Sequence, residues 1–295
     1  MTKSESGMNG QPIFKEELSP ALSPRACVSP DCAPKIVLAL GGGGARGFAH
    51  IGALQAFQEA GLEIWGITGT SMGALIGGIY AAGTDLHYLG RLAEYLKWED
   101  LIDLHLPNLG LIDGANIESL ICLLTKNQRI ENLRLKFWAV ATDLMDGSEF
   151  IFKEGPLTPA IRASISIPGV FMPVEYQGRI LVDGAVVAGV PVQAARGMGG
   201  DLVIAVNVGF DHTHHQVNNI IGVMIKVMDI MGNRLDHFQT GLADLTIVPE
   251  LGPIGKFSFH RARECIRIGR RAVTAALPKL RKIITQFQSK EHKTI

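Results

Sequence analysis

Apolar runs that end in glycine or a polar residue punctuate the first part of the chain. Residues 35–40 are such a run, as expected of a buried parallel strand that feeds a tight turn. Residues 48–60 place apolar side chains at helical spacing, and Gly61 stands where a helix cap is expected. Residues 64–67 have strand character and residues 74–82 are small and apolar, as in a buried helix. This β-α-β-α order predicts an α/β protein with parallel strands.

Further elements follow the same pattern. Three β-branched or aromatic runs bounded by turn residues predict strands at 137–142, 179–183 and 202–208. Prolines near their starts and apolar spacing predict helices at 156–165, 190–196 and about 260–288. The last of these helices carries an apolar stripe that we expect to pack against the domain. No internal repeat is visible.

The stretch from Ile64 to Thr84 lacks charge, and glycines at positions 69, 73 and 77 have the spacing of a membrane helix pair. Six glycines in one helix would each cost roughly 1 kcal/mol. A strand, a turn and a helix explain the same residues, so we predict no membrane span here.

Composition excludes several classes of protein. A chain of 295 residues with 47% hydrophobic content can bury a large core. The formal net charge of zero argues against a dedicated nucleic-acid binder. Residues 256–295 nevertheless hold 11 Lys or Arg against 2 Glu. This basic C-terminal helix is therefore a candidate for peripheral contact with anionic lipid.

The ends of the chain differ from its middle. Residues 1–34 are rich in Ser, Pro and charge and lack a signal peptide, so we expect a disordered leader before a cytoplasmic domain, which could contact the inner membrane surface peripherally. The domain is expected at 35–285, and a polar tail at 286–295. The sequence does not specify an oligomeric state.

Cysteine and histidine spacing gives no metal site. The four cysteines stand at 27, 32, 122 and 265, too irregularly for a disulfide scaffold, and no zinc-binding pair accompanies the first two. His212, His214 and His215 fall in a polar stretch that reads as an exposed loop rather than a metal site. We therefore predict no metal and no cofactor.

Residues 69–73 read Gly-Thr-Ser-Met-Gly and place Ser71 between a predicted strand and a predicted helix. A sharp turn of this kind exposes a serine nucleophile, and its flanking glycines let the helix pack on its own strand. A serine hydroxyl needs a base within hydrogen-bond reach. His260 begins a predicted helix and is an unconvincing base. Asp183 ends a predicted strand and could serve, although an Asp opening a turn before Gly explains the residue equally well.

Residues 41–47 read Gly-Gly-Gly-Gly-Ala-Arg-Gly directly after the first strand. Backbone amides of such a loop can stabilise the oxyanion of an attacked ester, by roughly 3 to 4 kcal/mol per donor. The same segment fits a dinucleotide-binding fingerprint, but that fingerprint needs an acid at the end of the second strand, where Ser71 stands instead. We favour the oxyanion hole. Arg46 either orients the loop or a substrate phosphate, or faces solvent.

With these motifs in this order, and Asp-Gly-Ala at 183–185, the sequence resembles the patatin-like phospholipases, specifically the bacterial RssA-type proteins related to neuropathy target esterase. Further resemblance lies in residues 141–144, 162–171 and 259–262, so it spans roughly 35–285. It implies a patatin-like three-layer sandwich with a mostly parallel central sheet flanked by helices.

The resemblance also implies a mechanism. It makes Ser71 the nucleophile and Asp183 the base of a Ser-Asp dyad, with the amides of Gly42, Gly43 and Gly44 as oxyanion hole and no metal requirement. It implies an acyl hydrolase that cleaves phospholipids or lysophospholipids through an acyl-enzyme. Two alternatives stay open from the sequence: an acyltransferase, which usually pairs the serine with histidine, and a lipid-binding regulatory protein with little turnover.

Overall fold

The computed structural model describes residues 33–96, 99, 103, 110–209 and 219–291. The predicted leader up to residue 32, with Cys27 and Cys32, lies outside the described residues, as does the loop that holds His212, His214 and His215. From Pro34 onward the described residues belong to one compact unit.

Eight strands are found in the described part of the chain. They are β1 Ile36–Leu40, β2 Ile64–Thr70, β3 Lys136–Asp143, β4 Glu149–Phe152, β5 Val174–Tyr176, β6 Arg179–Asp183, β7 Leu202–Val206 and β8 Leu245–Ile247. They form one sheet in the order β5-β6-β3-β2-β1-β7-β8, and β4 also pairs with β3. Strands β3, β2, β1, β7 and β8 pair in parallel, whereas β3 pairs antiparallel with both β4 and β6, and β5 with β6. The sheet is therefore mixed, with a parallel centre.

Eight α-helices are described, most of them between these strands. They are α1 Ala49–Glu59, α2 Met72–Ala81, α3 Leu86–Tyr95, α4 Ala115–Thr125, α5 Leu157–Ser164, α6 Val192–Gly197, α7 Ile220–Thr240 and α8 Ala262–Glu291. Short 3-10 helices occupy Gly44–Phe48, Ile130–Asn132, Gly184–Val186 and Phe259–Arg261. Helix α8 thus runs into the segment expected to be a polar tail.

Side chains of β1 point alternately to the two faces of the sheet, and helices cover both faces. Leu38 and Leu40 are fully buried in a large cluster together with residues of α1, α2 and α8. Val37 and Ala39 point to the opposite face and pack with residues of β7 and α6. A strand covered on both faces reads as a continuous apolar run, which is how residues 36–40 appear in the sequence. The α/β class and the helix-covered sheet are confirmed.

Most predicted elements have their expected place, and the region from Ile64 to Thr84 is indeed a strand followed by a helix. Gly61 has a φ of 67° directly after α1, as a left-handed cap requires. The apolar stripe of α8 packs against the domain. Strands β4, β5 and β8 and helices α3, α4 and α7 were not anticipated.

Candidate active site

Ser71 lies on the sharp turn that joins β2 to α2. Its φ of 54° and ψ of −124° are unusual for a residue with a side chain. The two flanking glycines are required by close packing. A Cβ on Gly69 would lie 2.5 Å from the backbone nitrogen of Ala74, and a Cβ on Gly73 would overlap the carbonyl oxygen of Leu40. The strained turn therefore depends on both glycines and holds the serine side chain out from the sheet.

Asp183 reaches the same level of the sheet from the opposite direction. It is the last residue of β6 and pairs with Ala141 of the antiparallel β3. On the other side of β3, Thr70 of β2 pairs with Val140, so Ser71 follows at the level of Ala141. The Oγ of Ser71 donates a hydrogen bond to Oδ2 of Asp183 at 2.7 Å. The structure thus brings together two side chains that are 112 positions apart.

Burial controls the electrostatics of this pair. Ser71 is 6% and Asp183 2% exposed. Removal from water disfavours the charged carboxylate and raises the pKa of Asp183 from 3.8 to about 6. The N–H of Ala185, which donates to Oδ1 at 2.8 Å, the Ser71 hydroxyl and the charge of Lys256 oppose that rise. Asp183 is therefore a carboxylate near neutral pH, but a more basic one than an exposed aspartate.

Ser164 supports the turn at Ser71 from behind. Its Oγ accepts a hydrogen bond from the Ser71 N–H at 2.9 Å and donates one to the Val140 carbonyl at 2.6 Å. Ser164 is fully buried at the end of α5. It lies within the stretch 162–171 that carries part of the family resemblance, but nothing in the sequence pairs it with Ser71. Its role is visible only in three dimensions.

Asp183 is also held by its backbone. Its N–H donates to the Ser166 carbonyl at 2.8 Å, and its carbonyl accepts from the Thr142 hydroxyl at 3.0 Å. Ser166 in turn accepts from the guanidinium of Arg162 at 2.6 Å, and Arg162 also donates to the Asp113 carbonyl. The buried Arg162 therefore secures the segment on which the Asp183 backbone rests.

The glycine loop comes close to Ser71. A Cβ on Gly42 would lie 3.2 Å from the Cβ of Ser71. The N–H of Gly42 already donates to the carbonyl of Gly189 at 2.8 Å. Neither Gly43 nor Gly44 donates its N–H to an acceptor within the described residues. All three glycines of the predicted oxyanion hole line the cavity beside Ser71. Of their three N–H groups, only those of Gly43 and Gly44 have no hydrogen-bond acceptor within the described residues.

Two basic side chains that the sequence raised as candidates lie away from the cavity wall. Arg46 is 2% exposed, so the solvent-facing alternative is wrong. Its charge acts on the buried Cys265 of α8, and Arg46 is not part of the cavity wall, so the structure does not bring it to a substrate. His260 is exposed and also outside that wall.

His50 is a buried residue that sequence reasoning missed. Its Nε2 lies 2.7 Å from the Gly41 carbonyl, which can only accept, so the ring donates there. Burial lowers the pKa of His50 to about 4, and the ring is neutral. His50 thereby fixes the start of the glycine loop from α1.

The dyad opens into one cavity with a largely apolar wall. The apolar side chains of that wall come mainly from α2, α4, α7 and the segment after α5: Met72, Leu75, Ile117, Leu120, Ile165, Ile167, Phe171, Ile225 and Met228. Polar groups are concentrated on α7 and on the residues before α8: Asp229, Asn233, Asp236 and Lys256. The cavity therefore suits a long apolar group with one polar end.

Asp236 is a second buried carboxylate in that wall. It accepts from the Val190 N–H at 3.1 Å, and burial raises its pKa from 3.8 to about 6. Lys256 forms an ion pair with Asp229 and lowers the pKa of Asp236 electrostatically.

Helix α7 could have been predicted from the hydrophobic spacing of residues 220–240. Its position over the cavity could not be predicted from that spacing.

Across the described ranges, no group of three or more His, Cys, Asp or Glu is placed to hold a metal ion. No helix within those ranges is long and apolar enough to cross a membrane.

The family model described as patatin-like phospholipase matches residues 38–196. An uncharacterized NTE family protein of Mycobacterium tuberculosis is 42% identical over 183 residues, 59% of this chain and 49% of that protein. Lysophospholipase NTE1 of Saccharomyces cerevisiae is 35% identical over 59% of this chain and 11% of its own length. The chain belongs to the patatin-like phospholipase family.

A solved structure shares the fold. VipD from Legionella pneumophila superposes with a TM-score of 0.59 at 14% identity, covering 84% of this chain and 67% of that one. This likeness concerns the fold alone. The chain spans about half the length of the mycobacterial relative.

Proposed function

We propose that the protein is a serine acyl hydrolase that cleaves fatty-acyl esters of phospholipids or lysophospholipids. The observation that carries the proposal is the hydrogen bond from Ser71 to Asp183 at 2.7 Å, on the wall of an apolar cavity beside the glycine loop. Membership of the patatin-like phospholipase family supports the same chemistry.

The first half-reaction forms an acyl-enzyme. Asp183 takes the proton of the Ser71 hydroxyl while Oγ attacks the ester carbonyl carbon. The carbonyl oxygen becomes an oxyanion, and we assign its stabilisation to the uncommitted amides of Gly43 and Gly44. The C–O bond to the glycerol oxygen then breaks, and the proton on Asp183 passes to that leaving oxygen.

The second half-reaction releases the fatty acid. Water attacks the acyl carbonyl of Ser71, Asp183 takes a proton from the water, and collapse of the oxyanion returns that proton to Oγ. A carboxylate with a pKa of about 6 suits both steps, because a base whose pKa lies near the working pH can accept and return the proton.

A panel of lysophospholipids, phospholipids and short nitrophenyl esters tests the proposal. We expect acyl-chain release by the wild type and a loss on the order of 10⁶-fold in Ser71→Ala, since removal of the nucleophile removes the acyl-enzyme. An active-site-directed fluorophosphonate should label Ser71. Ser148→Ala, at an exposed turn serine, is the matched control and should keep full activity.

Full activity of Ser71→Ala would overturn the proposal. A wild-type protein that binds lysophospholipid but neither hydrolyses it nor reacts with the fluorophosphonate would instead indicate the regulatory alternative. The acyltransferase alternative pairs the serine with histidine. Within the described residues, the side chain bonded to Ser71 Oγ is Asp183, which favours hydrolysis. Product analysis with an added alcohol as acyl acceptor separates transfer from hydrolysis.

A further inference from the structure

Helix α7 has two faces, and one of them belongs to the cavity. Six of its residues line the cavity wall beside Ser71 and Asp183, and they recur at the three- and four-residue spacing of a helix: Ile225, Met228, Asp229, Gly232, Asn233 and Asp236. Side chains at this spacing share one side of a helix. The cavity is therefore covered on this side by a single helix.

The opposite face of α7 is also apolar, but it is exposed. Its large hydrophobic residues recur at intervals of three and four: Ile220, Val223, Met224, Val227, Ile230, Met231, Leu235 and Phe238. The exposed fraction reaches 79% at Ile220 and 76% at Phe238. Single exposed apolar residues are ordinary, but a continuous stripe along a helix of 21 residues marks an interaction surface. We call this stripe the outer face of α7.

The charges of α7 are divided between the two faces. Both of its acids turn inward, Asp229 to an ion pair with Lys256 and Asp236 to a buried hydrogen bond with Val190. Arg234 and His237 are exposed beside the outer face. Along Ile220–Thr240, the exposed cationic side chain is therefore that of Arg234.

We propose that the outer face of α7 docks on an anionic phospholipid bilayer, with the helix lying in the interface plane. The proposal rests on the proposed function, since a lipid substrate makes a lipid surface the relevant partner. An apolar stripe flanked by the guanidinium of Arg234 is complementary to an anionic headgroup layer. A symmetric contact between two copies would instead bring the two Arg234 side chains of like sign to the same interface.

This docking site deepens the proposed function because the two faces of α7 are back to back. A helix about 10–12 Å across with its side chains would be all that separates the bilayer from the cavity. A lipid could then pass around α7 from the bilayer into the apolar cavity with little exposure of its acyl chain to water. The arrangement assigns substrate delivery to α7 and not to the basic helix α8.

The test is vesicle flotation of the full chain carrying Ser71→Ala, so that binding is measured without turnover. Vesicles contain equal amounts of phosphatidylglycerol and phosphatidylcholine. The double variant Ile230→Asp, Phe238→Asp should bind at least tenfold more weakly, because both substitutions place charge in the apolar stripe. Tyr88→Asp is the matched control, since Tyr88 is 58% exposed on α3, and it should float like the parent protein. Circular dichroism and thermal unfolding check that each variant is folded.

The proposal would be overturned if the folded parent protein did not float. It would also be overturned if flotation of the double variant were unchanged, including the case in which that variant converts a dimer to a monomer. The Lys279→Ala, Lys282→Ala variant tests the basic face of α8, and a larger loss there than in α7 would also contradict it. Because flotation does not depend on hydrolysis, failure of docking and failure of the proposed activity are distinguishable.

Discussion

Ser71 and Asp183 share a hydrogen bond of 2.7 Å although they come from strands that run in opposite directions. Strand β2 delivers the serine at its carboxyl end. Strand β6 enters beside β3 in the antiparallel sense and ends in the aspartate at the same level. The register of the sheet therefore brings the two side chains into contact. At this position the Asp183 carboxylate is buried away from water.

The first prediction concerns the pH dependence of hydrolysis. Asp183 must be deprotonated to accept the Ser71 proton, and burial raises its pKa to about 6. The ratio kcat/KM for an uncharged short-chain ester should therefore rise from pH 4 and reach half its maximum near pH 6. Asp183→Asn should lose about 10²- to 10⁴-fold at pH 8. An acidic limb with a midpoint near pH 4 would show that the base is an exposed carboxylate instead.

The same carboxylate should destabilise the fold at alkaline pH. The folded protein binds the Asp183 proton more tightly than the unfolded chain does, because the pKa rises from 3.8 to about 6 on folding. The stability associated with this group is fully present below about pH 4 and is lost as the pH rises through 6. Asp183→Asn should thus raise the free energy of unfolding at pH 8 by on the order of 1–3 kcal/mol.

Urea unfolding at pH 4, 6 and 8 measures this effect. The difference between Asp183→Asn and wild type should grow with pH and be small at pH 4. A difference independent of pH would mean that the aspartate is not the group that titrates. A variant that is inactive but more stable is the expected outcome if the buried carboxylate of Asp183 is the base of the proposed reaction.

A third prediction concerns Ser164. Ser164→Ala leaves the N–H of Ser71 and the carbonyl of Val140 without their shared partner in a buried place, at a cost of about 1–3 kcal/mol. It should also lower kcat, because the turn at Ser71 loses its hydrogen bond to Ser164, while KM changes little. Thr125→Val is the matched control, since that buried hydroxyl bonds only the Ile121 carbonyl of its own helix. It should affect stability but not kcat. Equal effects on kcat in both variants would make Ser164 merely structural.

Sequence reasoning placed the turn at Ser71 better than the architecture around it. That turn is marked by glycines that close packing requires and by an apolar strand before it and a small-residue helix after it, so the local pattern is enough to place it. The strand that ends in Asp183 is visible as an apolar run, but its antiparallel pairing with β3 depends on contacts far along the chain. The local sequence pattern therefore predicts the helices and strands. The register in which the strands pair is visible only in the assembled sheet.

Two residues of the glycine segment could not be placed from local pattern. For Arg46 the sequence leaves the loop, a substrate phosphate and solvent open, and only the fold shows that the side chain is 2% exposed. Gly42 is equivalent to its neighbours in sequence, yet its amide is taken by Gly189, more than a hundred residues later. Helix α7 was overlooked although its spacing is helical, and its two apolar faces acquire meaning only beside the cavity.

The last prediction concerns the crossing of α1 and α8. A Cβ on Gly52 would overlap the carbonyl of Ile266, and a Cβ on Gly269 would overlap the carbonyl of Ala49. Each substitution to Ala should therefore destabilise the protein by about 1–3 kcal/mol, since the helices must separate. The double variant should lose less stability than the two single variants added together, because one separation of the helices relieves both overlaps.

Gly90→Ala is the matched control. A Cβ on Gly90 in α3 would have its nearest neighbours at 3.7 Å or more, so this substitution should stabilise the protein by about 0.5–1 kcal/mol. Thermal unfolding distinguishes these outcomes, and additive costs would contradict a shared crossing.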